Sequence, residues 1–357
     1  MRFLILMKNC LKVVFVIIGT LIGAGFASGQ EIYLFFYSYG MKGIIGIFIS
    51  SILMGIVIYK TLILVKENDI NNYKDFLNLL IKKEGNNNYF NIKNIINIII
   101  NMFILITFFI MIAGFGAYFE QELEINSLIG SSVLAILCFI VFRTNQKGVV
   151  KVSEILVPIL IVFITIISIL NLKDFDINNI KNYLINNNSY NFLLSSVVYC
   201  SYNSILLIPV LITLKNYIKN KRQVISISAI STIIIVSLSI SLFFILTKVD
   251  VDISKLEMPA VYVVSKMFKF FEIIYGFIIL GSIFTTAVSL GNSFLQNASK
   301  NKKSYTHIAF IMCITSIAIS QIGFSNLINY LYPIFGYLGI VQIVRLICTN
   351  YTKITSK

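Results

Sequence analysis

Long apolar runs separated by short polar breaks fill this chain from end to end. Read with a window of about 19 residues, the runs fall at 11–39, 43–65, 92–118, 127–142, 152–170, 191–214, 224–246, 270–294, 305–321 and 327–348. A helix rises 1.5 Å per residue, so most of these match a hydrocarbon core of about 30 Å. The pattern predicts an all-α, polytopic membrane protein of about ten transmembrane helices. A short extra helix is expected at 258–268, opening at Pro259 on the outer surface, where it is placed to act as a lid.

Composition sharpens the class. The 357 residues are 57% hydrophobic and 12% charged, with a mean hydropathy of +0.87. A water-soluble domain needs a polar exterior that such a chain cannot supply. The formal charge of +14 does not mark a nucleic-acid partner, because the basic residues occupy alternate loops rather than one face. With a cytoplasmic amino terminus, the inner segments hold Lys8 and Lys12; Lys66, Lys74, Lys82, Lys83 and Lys93; Arg143, Lys147 and Lys151; Lys215, Lys219, Lys221 and Arg222; Lys300, Lys302 and Lys303; and Arg345, Lys353 and Lys357. The outer segments hold Glu120, Glu122 and Glu124, then Asp174 and Asp176, then Asp250, Asp252 and Glu257. That is the positive-inside distribution. It predicts a multi-pass protein of the cell membrane with both termini cytoplasmic, and one missed span would invert every later loop.

The amino terminus shows no small-residue cleavage site before the next apolar run, so no signal peptide is expected. The Asn runs at 86–88 and 186–188 read as low-complexity loop filling. Cys10, Cys138, Cys200, Cys313 and Cys348 are scattered singly, without metal-ligand spacing, and read as packing residues. Ten spans divide into two five-helix halves of inverted topology, approximately 10–171 and 190–350, within one transporter-sized domain over 1–357. The halves share no evident residue-level similarity.

The first span carries the most unusual segment, Gly19-Thr-Leu-Ile-Gly-Ala-Gly-Phe-Ala-Ser-Gly-Gln-Glu31. Each glycine costs about 1 kcal/mol of helix propensity against alanine, and four of them fall between positions 19 and 29. The pairs Gly19/Gly23 and Gly25/Gly29 also have the spacing of close helix packing. Ser28, Gln30 and Glu31 add polar and ionisable groups to the same stretch, which marks a functional site in a span. A discontinuous first helix is therefore expected. Its outer half, around Ala24, Gly25, Phe26, Ala27 and Ser28, would offer free N–H groups to a carboxylate, and its inner half, around Gly19 to Ile22, would offer carbonyls to a small cation.

The sixth span has a matching polar stretch, Tyr199-Cys-Ser-Tyr-Asn-Ser204, with Pro209 beyond it. Ordinary interhelical hydrogen bonding accounts for it if it stands alone. Its correspondence to the first-span break predicts a second discontinuity, with Tyr199, Ser201, Tyr202 and Asn203 facing the substrate. In the eighth span Ser282, Thr285, Thr286 and Ser289 share one helical face. Hard oxygens on one side fit an alkali cation; hydroxyls bonded back to their own helix are the competing explanation.

The glycine-rich segment, followed by Phe35-Phe36 and Tyr39-Gly40, closely resembles the opening of the YkvI-family bacterial membrane proteins, and the span pattern extends the resemblance over nearly the whole chain. That family is similar to a branch of the amino acid–polyamine–organocation superfamily with the LeuT fold. The resemblance implies a sodium ion held by the carbonyls of Gly19, Ile22 and Ser282 and the hydroxyls of Thr285 and Thr286. It implies a solute seated against Ala24 to Ser28 and Tyr199 to Asn203. Thr20 stands where amino-acid symporters of the fold carry an asparagine, so no second sodium is expected. The middle of the fifth span, 155–169, lacks the lysine of proton-coupled relatives, which favours sodium, while Glu31 remains a candidate proton or coupling group.

The function expected is sodium-coupled symport of a small organic solute such as an amino acid, by alternating access in the bilayer. The alternatives are a proton-coupled transporter using Glu31, a non-transporting sensor or structural protein on the same scaffold, and a channel. No cofactor beyond the coupling sodium ion is expected, and no enzyme activity. His307, Glu154 and Glu272 lie near span ends, where packing or solvation accounts for them. The residues do not specify an oligomeric state.

Overall fold

The computed structural model describes residues 2–80, 88–144, 146–172, 191–249, 258–267, 269–299, 301–322 and 324–349. Every regular element among them is helical. In chain order these are α1 (Arg2–Leu21), α2 (Ala24–Ala27), α3 (Gln30–Phe35), α4 (Met41–Glu67), α5 (Tyr73–Leu80), α6 (Asn88–Leu123), α7 (Ser127–Phe142) and α8 (Gln146–Leu172). Then come α9 (Asn191–Thr213), α10 (Lys221–Leu246), α11 (Pro259–Met267), α12 (Lys269–Ala298), α13 (Lys302–Ile319) and α14 (Phe324–Cys348).

Among the described residues six helices are long and apolar enough to cross a bilayer: Met41–Glu67, Asn94–Glu120, Gln146–Leu170, Asn191–Thr213, Lys221–Leu246 and Glu272–Ala298. Shorter apolar helices lie at Asn9–Leu21, Ser127–Phe142 and Ile334–Cys348. Each of the ten predicted apolar runs coincides with a helix or, for the first, with the series α1, α2 and α3. The chain is thus an all-helical, polytopic membrane protein.

Its polarity is inverted relative to a soluble protein. Large apolar side chains such as Phe277, Ile233 and Val341 stand exposed on the outer helix faces, where lipid is the solvent. Ser50, Ser201, Ser282, Thr285 and Asn292 are buried between helices. Lipid tails are as apolar as leucine, so helix association relies on close packing and interhelical hydrogen bonds.

Two ion pairs fix one end of the bundle. Lys215 pairs with Asp69 at 2.6 Å and Lys221 with Glu67 at 2.5 Å, so the segments after α4 and α9, both expected inside, meet at the same end. Lys12 pairs with Glu154 at 3.3 Å, which gives that glutamate a structural partner. Cys10, Cys138, Cys200 and Cys313 are buried free thiols, as packing requires, and Cys348 is exposed. The acids Asp174, Asp176, Asp250, Asp252 and Glu257, the lysines Lys82, Lys83, Lys300, Lys353 and Lys357, and the Asn runs apart from Asn88 lie outside the described residues; so do the side chains of Lys8, Asn88 and Lys93.

The first span is interrupted and the sixth is not. α1 stops at Leu21, and the chain re-forms helix only in the single turn of α2 and again in α3. By contrast α9 runs without interruption through 199–204, against the expected second discontinuity. Its polar side chains turn back on their own helix: Ser201 donates to the Val197 carbonyl (2.6 Å), Ser204 to Cys200 (2.6 Å) and Asn203 to Tyr199 (3.1 Å). Each such bond satisfies the side chain without opening the ladder. Pro209 is accommodated inside the helix, as membrane helices tolerate when neighbours supply partners.

Gly29 ends the break with φ +83°, the left-handed region that side chains avoid. A Cβ there would also lie 3.1 Å from Leu246 and 3.3 Å from Ala260. Gly29→Ala is expected to destabilise the purified protein by about 1–2 kcal/mol, read as a lowered thermal midpoint in detergent; an unchanged midpoint would contradict this backbone conformation.

Candidate functional site

The break begins where the α1 ladder gives out. Ile22 N–H still reaches the Ile18 carbonyl at 2.8 Å, but Gly23 N–H turns back to Leu21 at 3.1 Å, with Gly23 extended at φ −92° and ψ −168°. The carbonyls thus freed cannot stay unpaired in an apolar interior. The Thr286 hydroxyl of α12 lies 2.9 Å from the Gly19 carbonyl and 3.1 Å from that of Ile22, which share its one proton, with Thr20 farther off at 3.4 Å. Thr285 donates to the Ser282 carbonyl at 3.0 Å. Gly19, Ile22 and Thr286 of the expected cation set thus meet at one buried junction of the first and eighth spans, and Thr285 abuts Gly19, while the hydroxyls of Thr285 and of Ser282, which donates to Ile279 at 2.7 Å, bond back to their own helix. Gly19 permits the approach: a Cβ on it would lie 3.2 Å from the Thr285 Cβ and 2.9 Å from Val157 of α8. Ser289 shares the hydroxyl face, and its buried oxygen has no partner among the described residues.

The outer side of the break is held by other elements. The Tyr275 hydroxyl of α12 donates to the Ala27 carbonyl at 2.7 Å. The Ala260 N–H of α11 donates to the Ser28 carbonyl at 2.9 Å, so the short helix expected at 258–268 is present and rests on the break itself. Ser28 donates to its own Gly25 carbonyl at 3.2 Å. The N–H groups of Ala24, Gly25 and Phe26 have no acceptor among the described residues, so this stretch retains donors while most of its carbonyls are taken.

A cavity of about 10 Å³ lies beside the break, bounded by Ile22 and Phe26, by Tyr199 and Asn203 of α9, and by Ser50 and Met54 of α4. Ile235 and Leu238 of α10 close it. That volume holds about one water, so the helices are closed around the position. Of the residues expected to face solute, Phe26, Tyr199 and Asn203 meet here. Ala24, Gly25, Ala27 and Ser28 are buried but do not line the cavity, and Ser201 points elsewhere: its hydroxyl is spent on Val197 and its backbone packs against Gly339 of α14. Tyr202 instead donates to the Glu31 carboxyl.

Glu31 and Tyr202 are both buried. Tyr202 stacks between Phe35, at 5.5 Å, and Tyr332 of α14, at 4.8 Å. A Cβ on Gly25 would lie 2.6 Å from Glu31 Oε1, so the carboxyl rests on the backbone of the break. Tyr275, Tyr332, Ser50 and Met54 carry no signal in the sequence; each is a lone residue on an apolar helix, where only the assembled neighbours give it a role. Among the described residues no group of three or more His, Cys, Asp or Glu gathers to hold a metal ion. His307 is exposed near the start of α13.

No protein-family model matches the chain. It is 30% identical over 343 residues to the uncharacterized membrane protein YkvI of Bacillus subtilis, covering 94% of this chain and 95% of the relative. A second protein of that organism, YyaD, is 25% identical over 343 residues, with 94% and 96% covered. Among solved structures, a point mutant of the manganese transporter of Eremococcus coleocola superimposes with a TM-score of 0.58 at 12% identity, covering 95% of this chain and 74% of that one. The same transporter bound to an aromatic bis-isothiourea compound gives 0.52 at 11% identity. The shared fold is thus that of a membrane transporter, and neither the relatives nor the fold neighbours are described as enzymes.

Removing the Thr286 hydroxyl leaves buried carbonyls without a donor. Thr286→Val, close to isosteric, is expected to cost about 1–3 kcal/mol in detergent unfolding, and Thr286→Ser to recover most of it. Equal stability of Thr286→Val and the parent would show that the hydroxyl does not hold this junction.

Proposed function

The chain belongs to the family of the Bacillus subtilis membrane protein YkvI, and from that membership, the transporter fold and the broken first span we propose that it is a secondary transporter, a sodium-coupled symporter of a small organic solute such as an amino acid. The proposal includes ten transmembrane helices in two inverted halves, 10–171 and 190–350, of one LeuT-like domain of the amino acid–polyamine–organocation superfamily. Both termini face the cytoplasm.

One observation carries the reading: the Thr286 hydroxyl lies within 3.1 Å of both the Gly19 and Ile22 carbonyls. Carbonyls freed by an unwound helix and hydroxyls of a facing helix are hard, neutral oxygens, the donor type an alkali cation prefers. In the closed state the hydroxyl donates to those carbonyls. With a cation present the same oxygens turn their lone pairs inward, so the ion replaces the hydrogen bond that ties the first span to the eighth. The manganese of the fold neighbours is not carried over, because this junction offers none of the side chains a transition metal selects.

The solute belongs beside Phe26, Tyr199 and Asn203, with the unpartnered N–H groups of Ala24 to Phe26 available to a carboxylate. Solute and cation would then grip opposite sides of one interrupted helix. Each favours the arrangement the other needs, which is the basis of coupling. Alternating access follows when the closed walls part toward one side or the other.

Sodium at ten times its Kd would stabilise the folded protein by roughly 1.4 kcal/mol. The purified protein is expected to show a higher thermal midpoint in sodium than in potassium, and Thr285→Ala with Thr286→Ala is expected to abolish the difference. A sodium response that survives the double substitution would refute the site. Orientation is checked on a Cys348→Ser background: Lys215→Cys and Lys302→Cys should react with a membrane-impermeant maleimide only after cells are opened, and Glu120→Cys should react in intact cells. The reverse pattern would overturn the topology.

A further inference from the structure

Glu31 is the only acidic or basic side chain in the buried interior among the described residues, and the cation junction makes no use of it. Its Oε2 accepts from Tyr202, and its Oε1 rests against Gly25 of the break. Around it stand Phe35, Tyr202, the edge-on ring of Tyr199 at 5.5 Å from Tyr202, and Tyr332. The titratable groups facing it are Tyr199 and Tyr202 on α9 and Tyr332 on α14. On α10, which also packs against α3, Lys221 and Arg222 sit at the start and Lys248 just beyond the end. The ion pairs among the described residues involve Lys12, Lys215 and Lys221, none of them with Glu31.

A bare carboxylate buried here is too costly to persist; it must hold a proton or meet a cation. Hard divalent ions take six or more oxygen ligands, whereas the side-chain oxygens gathered on Glu31 are its own two and the Tyr202 hydroxyl. Beside them stand the rings of Phe35, Tyr199, Tyr202 and Tyr332. An organic ammonium suits these surroundings, because it donates charge-assisted hydrogen bonds to one carboxylate and is stabilised by ring quadrupoles. This cluster adjoins the closed cavity: Tyr199 belongs to both, and Phe26, next to Gly25, lines the cavity. Most of the cavity wall, including Ile18, Leu21, Met54 and Leu238, is apolar, with Ser50 and Asn203 also on it.

We propose that Glu31 is the receptor for the ammonium group of an aliphatic amine-bearing solute, with Tyr202 as its positioning partner and the apolar cavity taking the aliphatic part. This deepens the transporter reading and rests on it. The solute arrives as a cation, its N–H groups take the place of the proton on Glu31 while Oε2 keeps its hydrogen bond from Tyr202, and that proton leaves to solvent. One proton released per amine bound makes affinity rise with pH, by up to tenfold per pH unit.

Three probes of one carbon skeleton test this on the purified full chain by calorimetry: leucine, isoamylamine, which lacks the carboxylate, and 4-methylpentanoate, which lacks the amine. Leucine and isoamylamine are expected to bind, more tightly at pH 8 than at pH 6. Glu31→Gln should weaken both at least tenfold and Tyr202→Phe three- to tenfold, with 4-methylpentanoate unaffected by either. Tyr202→Phe keeps the ring stack and serves if Glu31→Gln folds poorly. Amine binding that is absent, that is unchanged in both variants, or that weakens as pH rises would overturn the assignment, the last in favour of Glu31 as a proton carrier. The sodium-dependent shift in thermal midpoint and its loss in the Thr285/Thr286 double variant are read separately. Their persistence alongside a failed amine test leaves the transporter reading standing, and their absence removes it.

Discussion

Backbone polar groups in hydrocarbon must find partners, and the carbonyls released at the first-span break find theirs in side chains and backbone from elsewhere in the fold. Leaving a buried acceptor unpaired costs about 1–3 kcal/mol, so a break of this kind survives only where the surrounding helices are arranged to serve it. Here Thr286 reaches Gly19 and Ile22, Tyr275 reaches Ala27, and the amide of Ala260 reaches Ser28. The first span, the eighth span and the short helix Pro259–Met267 are thereby joined through one segment of unwound backbone. Any change in what those carbonyls accept alters how the three elements sit together.

That arrangement gives the break two chemically different sides. The inner side presents carbonyl and hydroxyl oxygens; the outer side presents N–H donors, with the Glu31 carboxyl pressed against Gly25. Between the break and Asn191–Thr213 the cavity is closed to about 10 Å³, too small for any organic solute, so binding requires the helices to separate. Tyr199 connects the parts, since it borders the cavity and packs edge-on against the ring that holds Glu31. A solute entering the cavity therefore acts on the break and on the buried carboxyl together.

Much of this was legible in the sequence, for identifiable reasons. Apolar runs bounded by charged loops locate helices because lipid leaves a chain few other options, and every predicted run became helical. Four glycines close together with Ser28 and Glu31 located the break, since no packing need explains glycine and an acid in one stretch. The hydroxyls at 285 and 286 fell on one face because helical spacing is fixed, and that face met Gly19 and Ile22. The sixth span misled: Ser201, Asn203 and Ser204 look alike in sequence whether they line a gap or bond to their own helix, and here they do the latter. Tyr275 and Tyr332 gave no signal, because a single tyrosine on an apolar helix acquires meaning only from what stands opposite it. The pairing of Tyr202 with Glu31 links residues 171 positions apart, and nothing in either neighbourhood announces it.

Backbone hydrogen exchange on the protein in lipid nanodiscs decides whether the first span is unwound at the glycines. Amides with no intramolecular acceptor exchange far faster than those in a continuous ladder. Rapid exchange is predicted at Ala24, Gly25 and Phe26, between strongly protected amides at 13–18 and in the long helices that flank them. Uniform slow exchange from 13 through 35 would show an unbroken first span and contradict the site built on it.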